Sequence, residues 1–163
     1  MRIIGIDPGM AIVGYSILDI TNSGDMTLVS SGSIQTSSKN TEAQRLLEIY
    51  NDLKVILNRF KPDIAGIEKL YFFKNQKTVM PVSQARGVIV LTLAEFGLNI
   101  LEYTPIEIKQ LLTGYGRASK EEVAKLVKIC LNGSKIPKLD DTVDSIAIAI
   151  CCARNLSTNT INK

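Results

Sequence analysis

The sequence contains no histidine and only three cysteines in 163 residues. Without histidine there can be no Ser-His-Asp triad, no Cys-His pair and no His-ligated zinc. Cys130, Cys151 and Cys152 are odd in number and lack metal-ligand spacing. Each sits in an apolar helical pattern, so they read as small buried hydrophobes of a reduced, cytosolic protein. Long apolar runs are missing too: none approaches the roughly 18 residues of a membrane span. The start, Arg2 to Asp7, is strand-like and not a signal peptide, so the expected setting is the cytoplasm with no membrane partner. Nor does one sign of charge dominate. A net charge of +3 permits a nucleic-acid partner without requiring one. Chemistry in such a chain has to run on carboxylates, lysines, hydroxyls or a bound cofactor.

What is present suits one folded domain. The β-branched runs Arg2–Asp7, Gly14–Ile20 and Met26–Gln35, separated by tight turns, predict an antiparallel meander. A helix is expected over Glu42–Phe60, capped by Thr41 or Asn40, with an apolar stripe of Leu46, Leu47, Ile49, Tyr50, Leu53, Ile56, Leu57 and Phe60. Short strands at Ile64–Ile67 and Asn99–Tyr103 flank a helix over about Thr78–Phe96, with Pro81 in its first turn or delaying its start. Thr104-Pro105 opens a short helix, and Ser119-Lys120-Glu121-Glu122 is a capping box for another. A polar loop over Asn132–Leu139 precedes a last helix over Asp141–Arg154. Strands that each follow a helix favour parallel pairing. The expectation is an α/β fold with one mixed five-stranded sheet, three antiparallel strands and then two parallel, flanked by helices. It forms a single domain over 1–154, followed by a polar, frayed tail over 155–163.

The informative residues are acids. Asp7 ends the buried run Ile3-Ile4-Gly5-Ile6 before a Pro-Gly turn, and Glu68 ends Ile64-Ala65-Gly66-Ile67. A carboxylate adjoining a buried strand is costly unless paired or metal-bound. If the two strands are parallel neighbours, both acids emerge at the carboxyl end of the sheet, where open α/β sheets bind ligands. Asp141 and Asp144 lie three apart at the start of an otherwise apolar helix, on one face. Each acid also has an ordinary reading: a turn-initiating Asp, a strand-end Glu, acids favoured at a helix N-terminus. As a set without histidine they make a hard oxygen site suited to Mg²⁺ or Mn²⁺. Two such ions, roughly 3.5–4 Å apart, can drive phosphodiester cleavage.

Four blocks in order, Gly5-Ile6-Asp7-Pro8-Gly9, Ile67-Glu68, Gln84-Ala85-Arg86-Gly87 and Asp141-Thr142-Val143-Asp144-Ser145-Ile146-Ala147-Ile148-Ala149, resemble the signature blocks of the RuvC family of bacterial Holliday-junction resolvases. The resemblance covers about residues 2–154. It implies a ribonuclease H-like fold, a homodimer, and symmetric nicking of two opposed strands of a four-way DNA junction. It also implies that Asp7, Glu68, Asp141 and Asp144 are catalytic acids holding two Mg²⁺ ions, with Mn²⁺ able to substitute. A branch-migration motor is a further partner with which the family commonly works.

DNA contacts beyond the acids are expected from Tyr71 and Phe72, in the aromatic loop after Glu68, and from Lys74, Lys109, Arg117 and Lys120. Aromatics there can stack on unpaired bases, with Tyr71 at a position where the family has a Phe. The cations can neutralise phosphates, and Lys109 and Lys120 match basic positions that the family uses near the scissile strand. Packing in the core or at a subunit contact is the competing role for the aromatics, Phe73 above all, as a solvated helix face is for the lysines. Arg86 suits either a DNA contact or a dimer brace.

Three other readings compete. One is another ribonuclease H-like nuclease acting on RNA–DNA hybrids or DNA ends. Another is a non-catalytic branched-DNA binder, whose mark would be a lost acid. The third is an ATP-binding protein of the actin and sugar-kinase type, which needs a second domain for which 163 residues leave no room.

Overall fold

A computed structural model describes the backbone of residues 1–70, 76–132 and 140–161. It describes their side chains except those of 76–78, 140–141 and 157–161. Strands β1 (Arg2–Asp7), β2 (Ile12–Ile20) and β3 (Met26–Gln35) form the meander, followed by helix α1 (Glu42–Phe60), strand β4 (Ile64–Glu68), helix α2 (Gln76–Glu95) and strand β5 (Asn99–Tyr103). Helices α3 (Pro105–Thr113), α4 (Lys120–Cys130) and α5 (Asp140–Ile161) complete the chain. The sheet order is β3-β2-β1-β4-β5, with β1–β2 and β2–β3 antiparallel and β1–β4 and β4–β5 parallel. This is the mixed sheet that the pattern of strands and helices predicts.

Side-chain alternation divides the core into two layers. Ile4, Ile6, Ile17, Ala65 and Ile67 face α1 and α2, where Ile49, Leu53, Leu57, Ile89 and Leu93 cover them. Ile3, Leu18, Ile64 and Tyr103 face α5, α3 and α4. The helix starts follow the local signals. Thr41, Thr104 and Ser119 each close a capping box, with Gln44, Glu107 and Glu122.

The centre of the α5 layer is a trough of small residues. Gly5 pairs across the sheet with Ser16 on one side and Gly66 on the other. Helix α5 lies in it. A Cβ on Gly5 would run into the Ser145 carbonyl oxygen and sit 2.8 Å from the Ala149 nitrogen. One on Gly66 would lie 3.3 Å from the Cys152 Cβ. The buried Ser16 hydroxyl donates to the Ser145 carbonyl at 2.9 Å, tying β2 to the same helix. Cys151 and Cys152 are fully buried free thiols in this layer, as their apolar pattern suggests, and burial pushes both up to about 12.

Several boundaries differ from the expectation. Strand β2 begins at Ile12 and not Gly14. Helix α2 begins at Gln76, so Pro81 lies inside it and not in its first turn. The φ of proline suits a helix, and what is lost is one bond, to the carbonyl four residues earlier. Helix α5 runs on past Arg154 to Ile161, over part of the segment expected to fray. Leu156 packs against the core and Asn155 Nδ2 donates to the buried Tyr103 hydroxyl at 3.1 Å, which holds the start of that extension down. On α1, Leu47 is 57% exposed and outside the stripe assigned to it. Beyond its first residue, the polar loop over 132–139 lies outside the described residues. None of the described helices is long and apolar enough to cross a membrane.

Gly5→Ala tests the trough. The clash is with helix backbone, which cannot rotate away, so the expected loss is about 3 kcal/mol, or about 10 °C in Tm for a chain of this size. Thermal melts read this directly. An unchanged Tm would show that α5 does not depend on the notch.

Candidate active site

Asp7 and Glu68 are the next residues after Gly5 and Gly66 on the face towards α5. The parallel register pairs Ile6 with Ile67. One step further on, the two acids stand side by side at the carboxyl ends of the central strands, both half-buried. Helix α5 delivers the rest. Its close seat over Gly5 fixes Ser145, and Asp144 is the preceding residue. Glu68 and Asp144 line one cleft of about 170 Å³ together with Lys109 and the apolar side chains of Pro105, Ile108 and Val123. Lys120 reaches in from the start of α4, its Nζ 3.8 Å from Asp144 Oδ2. That lysine is 68% exposed, so the pair is a solvent-screened contact and stabilises little.

The electrostatics follow from this packing. Burial, and next the negative charge of Asp144, push the Glu68 carboxyl up to about 7, while the Lys120 ammonium pulls it partly back. A glutamate disfavoured as an anion, beside further carboxylates, marks a place short of positive charge. The donors are all carboxylate oxygens, which fits a hard divalent cation. Asp7, Glu68, Asp144 and Asp141 would hold it. Asp141 lies in the first turn of α5, and its side chain is outside the described residues. Among the described residues alone, no three acidic or thiol side chains close into a metal-sized group.

The family pattern described as Crossover junction endodeoxyribonuclease RuvC matches residues 3–152. The chain belongs to the RuvC family. It is 46% identical to the crossover junction endodeoxyribonuclease RuvC of Caldicellulosiruptor saccharolyticus over 151 residues, covering 93% of this chain and 91% of that one. The Thermus thermophilus RuvC structure superposes with a TM-score of 0.89 at 28% identity, covering 98% of both chains. The same protein in complex with Holliday junction substrate gives 0.88 at 26% identity, also over 98% of both. The ribonuclease H-like fold and the resemblance read from the four sequence blocks both hold.

Within this RuvC-family fold the expected residues separate. Asp7, Glu68 and Asp144 come to one end of the sheet, and Lys109 and Lys120 flank the cleft. Arg117 is exposed in the connection between α3 and α4 and does not line that cleft. Tyr71, Phe72, Phe73 and Lys74 lie outside the described residues. Arg86 is turned inwards: Nε donates to the Glu68 carbonyl at 3.1 Å, and the guanidinium pairs with Glu102. Glu102 and the apolar wall of Pro105, Ile108 and Val123 escaped the sequence reading. The signal available was a charged residue inside the short apolar run Asn99–Tyr103, and it named no partner.

Without added metal, ionising Glu68 works against the fold, because its carboxyl keeps its proton up to about 7 instead of the ordinary 4.5. Between those values the folded state binds more protons than the unfolded one, so stability falls as pH rises. Glu68→Gln should abolish that fall and leave the variant more stable at about pH 8, by on the order of 2 kcal/mol. Urea melts in EDTA at about pH 5 and about pH 8 measure it. Parallel behaviour of the two proteins would count against a desolvated Glu68.

Proposed function

We propose that this chain is a homodimeric, divalent-metal-dependent endodeoxyribonuclease that resolves four-way DNA junctions by paired symmetric nicks, in recombination and repair. The observation that carries this reading is the meeting of Asp7 and Glu68, on adjacent parallel strands, with the acidic first turns of α5, in a chain of the RuvC family. The Thermus relative solved with Holliday junction substrate supports the choice of DNA.

The residues divide the work. Asp7, Glu68, Asp141 and Asp144 are the metal-holding acids, for two Mg²⁺ ions with Mn²⁺ as a substitute. When bound, such ions activate water and neutralise the leaving oxygen in phosphodiester hydrolysis. Four carboxylates would repel a phosphodiester, and Lys109 and Lys120, at the rim, offset that repulsion for the incoming strand. Tyr71 and Phe72 stack on bases opened at the crossover, while Lys74 and Arg117 hold flanking phosphates. The apolar wall of the cleft, Pro105, Ile108 and Val123, excludes bulk water beside Glu68 and strengthens every charge interaction there.

A homodimer matches a two-fold substrate, because paired nicks need two equivalent sites. The outer side of α2 offers a surface for it. Met80 is 68% and Leu91 65% exposed. Gln84 and Gly87 lie between them on the same helical face, and nothing stands within 4 Å of a Cβ built on Gly87. The expected setting is the cytoplasm, where a branch-migration motor would be the natural further partner.

The deciding test incubates a synthetic four-way junction with the protein, with and without Mg²⁺, beside linear duplex and RNA–DNA hybrid. Paired symmetric nicks on the junction alone, and only with metal, are expected. Asp7→Asn should bind the junction and leave it uncut. Cleavage of the hybrid, or binding by the parent without any cleavage, would overturn the assignment. Leu91→Glu should shift the protein to monomer in sedimentation and uncouple the two nicks. A variant that stays dimeric would move the interface off this face of α2.

A further inference from the structure

Arg86 stands behind the acids. It projects from α2, on the face of the sheet opposite α5, between the buried Ala85 and Ile89. Its side chain is only 21% exposed. Nε donates to the backbone carbonyl of Glu68 at 3.1 Å, and an outer nitrogen reaches Glu102 Oε1 at 2.5 Å. Glu102 pairs in register with Ile67, on the α2 side of the sheet.

The Glu68 carbonyl needs this donor for a reason written in the neighbouring strand. Lys69 N donates to the Tyr103 carbonyl at 2.7 Å, so residue 69 is the one that points towards β5. Amide groups alternate in direction along a strand, and the carbonyl of Glu68 therefore points towards β1. In a parallel ladder its donor would be the N–H of the residue after Asp7. That residue is Pro8, which has none. The turn that releases Asp7 at the strand end thus takes away the bond that would hold Glu68 beside it.

We infer that Arg86 is a positioning residue for hydrolysis: it supplies the donor that Pro8 lacks and clamps the end of β4, so that Glu68 is held in register with Asp7. Glu102 orients the guanidinium and balances its charge. Arg86 lies on the far face of the sheet from the acids and acts through Glu68, not on DNA. A shift of about 1 Å in a reacting group can cost as much as a hundredfold in rate, so a free β4 end is expected to show in the chemical step before it shows in the fold.

The inference rests on junction cleavage by the parent chain, and the experiment separates the two. Single-turnover cleavage of a four-way junction with Mg²⁺ is compared for the parent, Arg86→Ala, Arg86→Lys and Glu102→Gln, alongside junction affinity in Ca²⁺ and Tm. Arg86→Ala should cut about tenfold more slowly at saturating enzyme with affinity within about twofold. Arg86→Lys, which keeps a donor, should recover part of the rate, and Glu102→Gln should lose less than Arg86→Ala. An Arg86→Ala protein that cuts at the parental rate overturns the inference. So does a loss lying wholly in affinity, which would make Arg86 a DNA contact. A loss that Lys does not relieve and that follows a lowered Tm across all three variants overturns it as well, leaving only general bracing. A parent that leaves the junction uncut refutes the proposed function instead.

Discussion

Helix α5 can lie against the sheet only because three adjacent strands present Ser16, Gly5 and Gly66 in one row. The contact is backbone on backbone, with the Ser145 carbonyl over Gly5 and bonded to the Ser16 hydroxyl. Everything at the candidate site depends on that approach. The acids of β1 and β4 sit one step beyond the glycines, and the acids of α5 just before Ser145. A larger side chain at Gly5 would push the helix away and separate the carboxylates it now brings together. Packing density and chemistry are here the same constraint, since a close-packed interior transmits such displacements instead of absorbing them.

That closeness is electrostatically unfavourable on its own. Glu68 is desolvated and faces Asp144, and both effects hold its proton on. The fold tolerates the arrangement because the sheet and α5 are bonded from other directions: the Ser16 bond, the two hydrophobic layers, and the Arg154 guanidinium on the Leu111 carbonyl, which anchors α5 to α3 at 2.6 Å. Local strain that surrounding contacts over-determine is typical of functional sites. The Pro8 turn adds a second local cost, a strand-end carbonyl with no ladder donor. It ends the ladder beside Glu68, and Arg86 restores a donor from the opposite face.

Much of the fold was legible because hydrophobic periodicity and capping signals are local. The spans of β1, β3, β5 and α1 follow from short β-branched runs bounded by turn residues, from an apolar helical stripe and from a cap at its start. Where local pattern and structure part, tertiary packing decides. Helix α5 runs past Arg154 because Asn155 and Leu156 find partners, and Leu47 is left uncovered although its spacing fits the stripe. Pro81 sits inside α2 because the loss of one backbone bond can be borne by a helix packed along most of its length.

By itself the sequence determined the residue types, their order and their local settings: acids at two strand ends and at a helix start, no histidine to compete with them, and four blocks that identify the family. Those are properties of a chain read in one dimension. Only the tertiary structure decided which faces the acids share, that Lys109 and Lys120 border the cleft while Arg117 does not line it, and that Arg86 turns inwards to Glu102 and the Glu68 carbonyl. Strand register sets Asp7 beside Glu68 and helix approach sets Gly5 under Ser145, and no local pattern records contacts between residues so far apart in the chain.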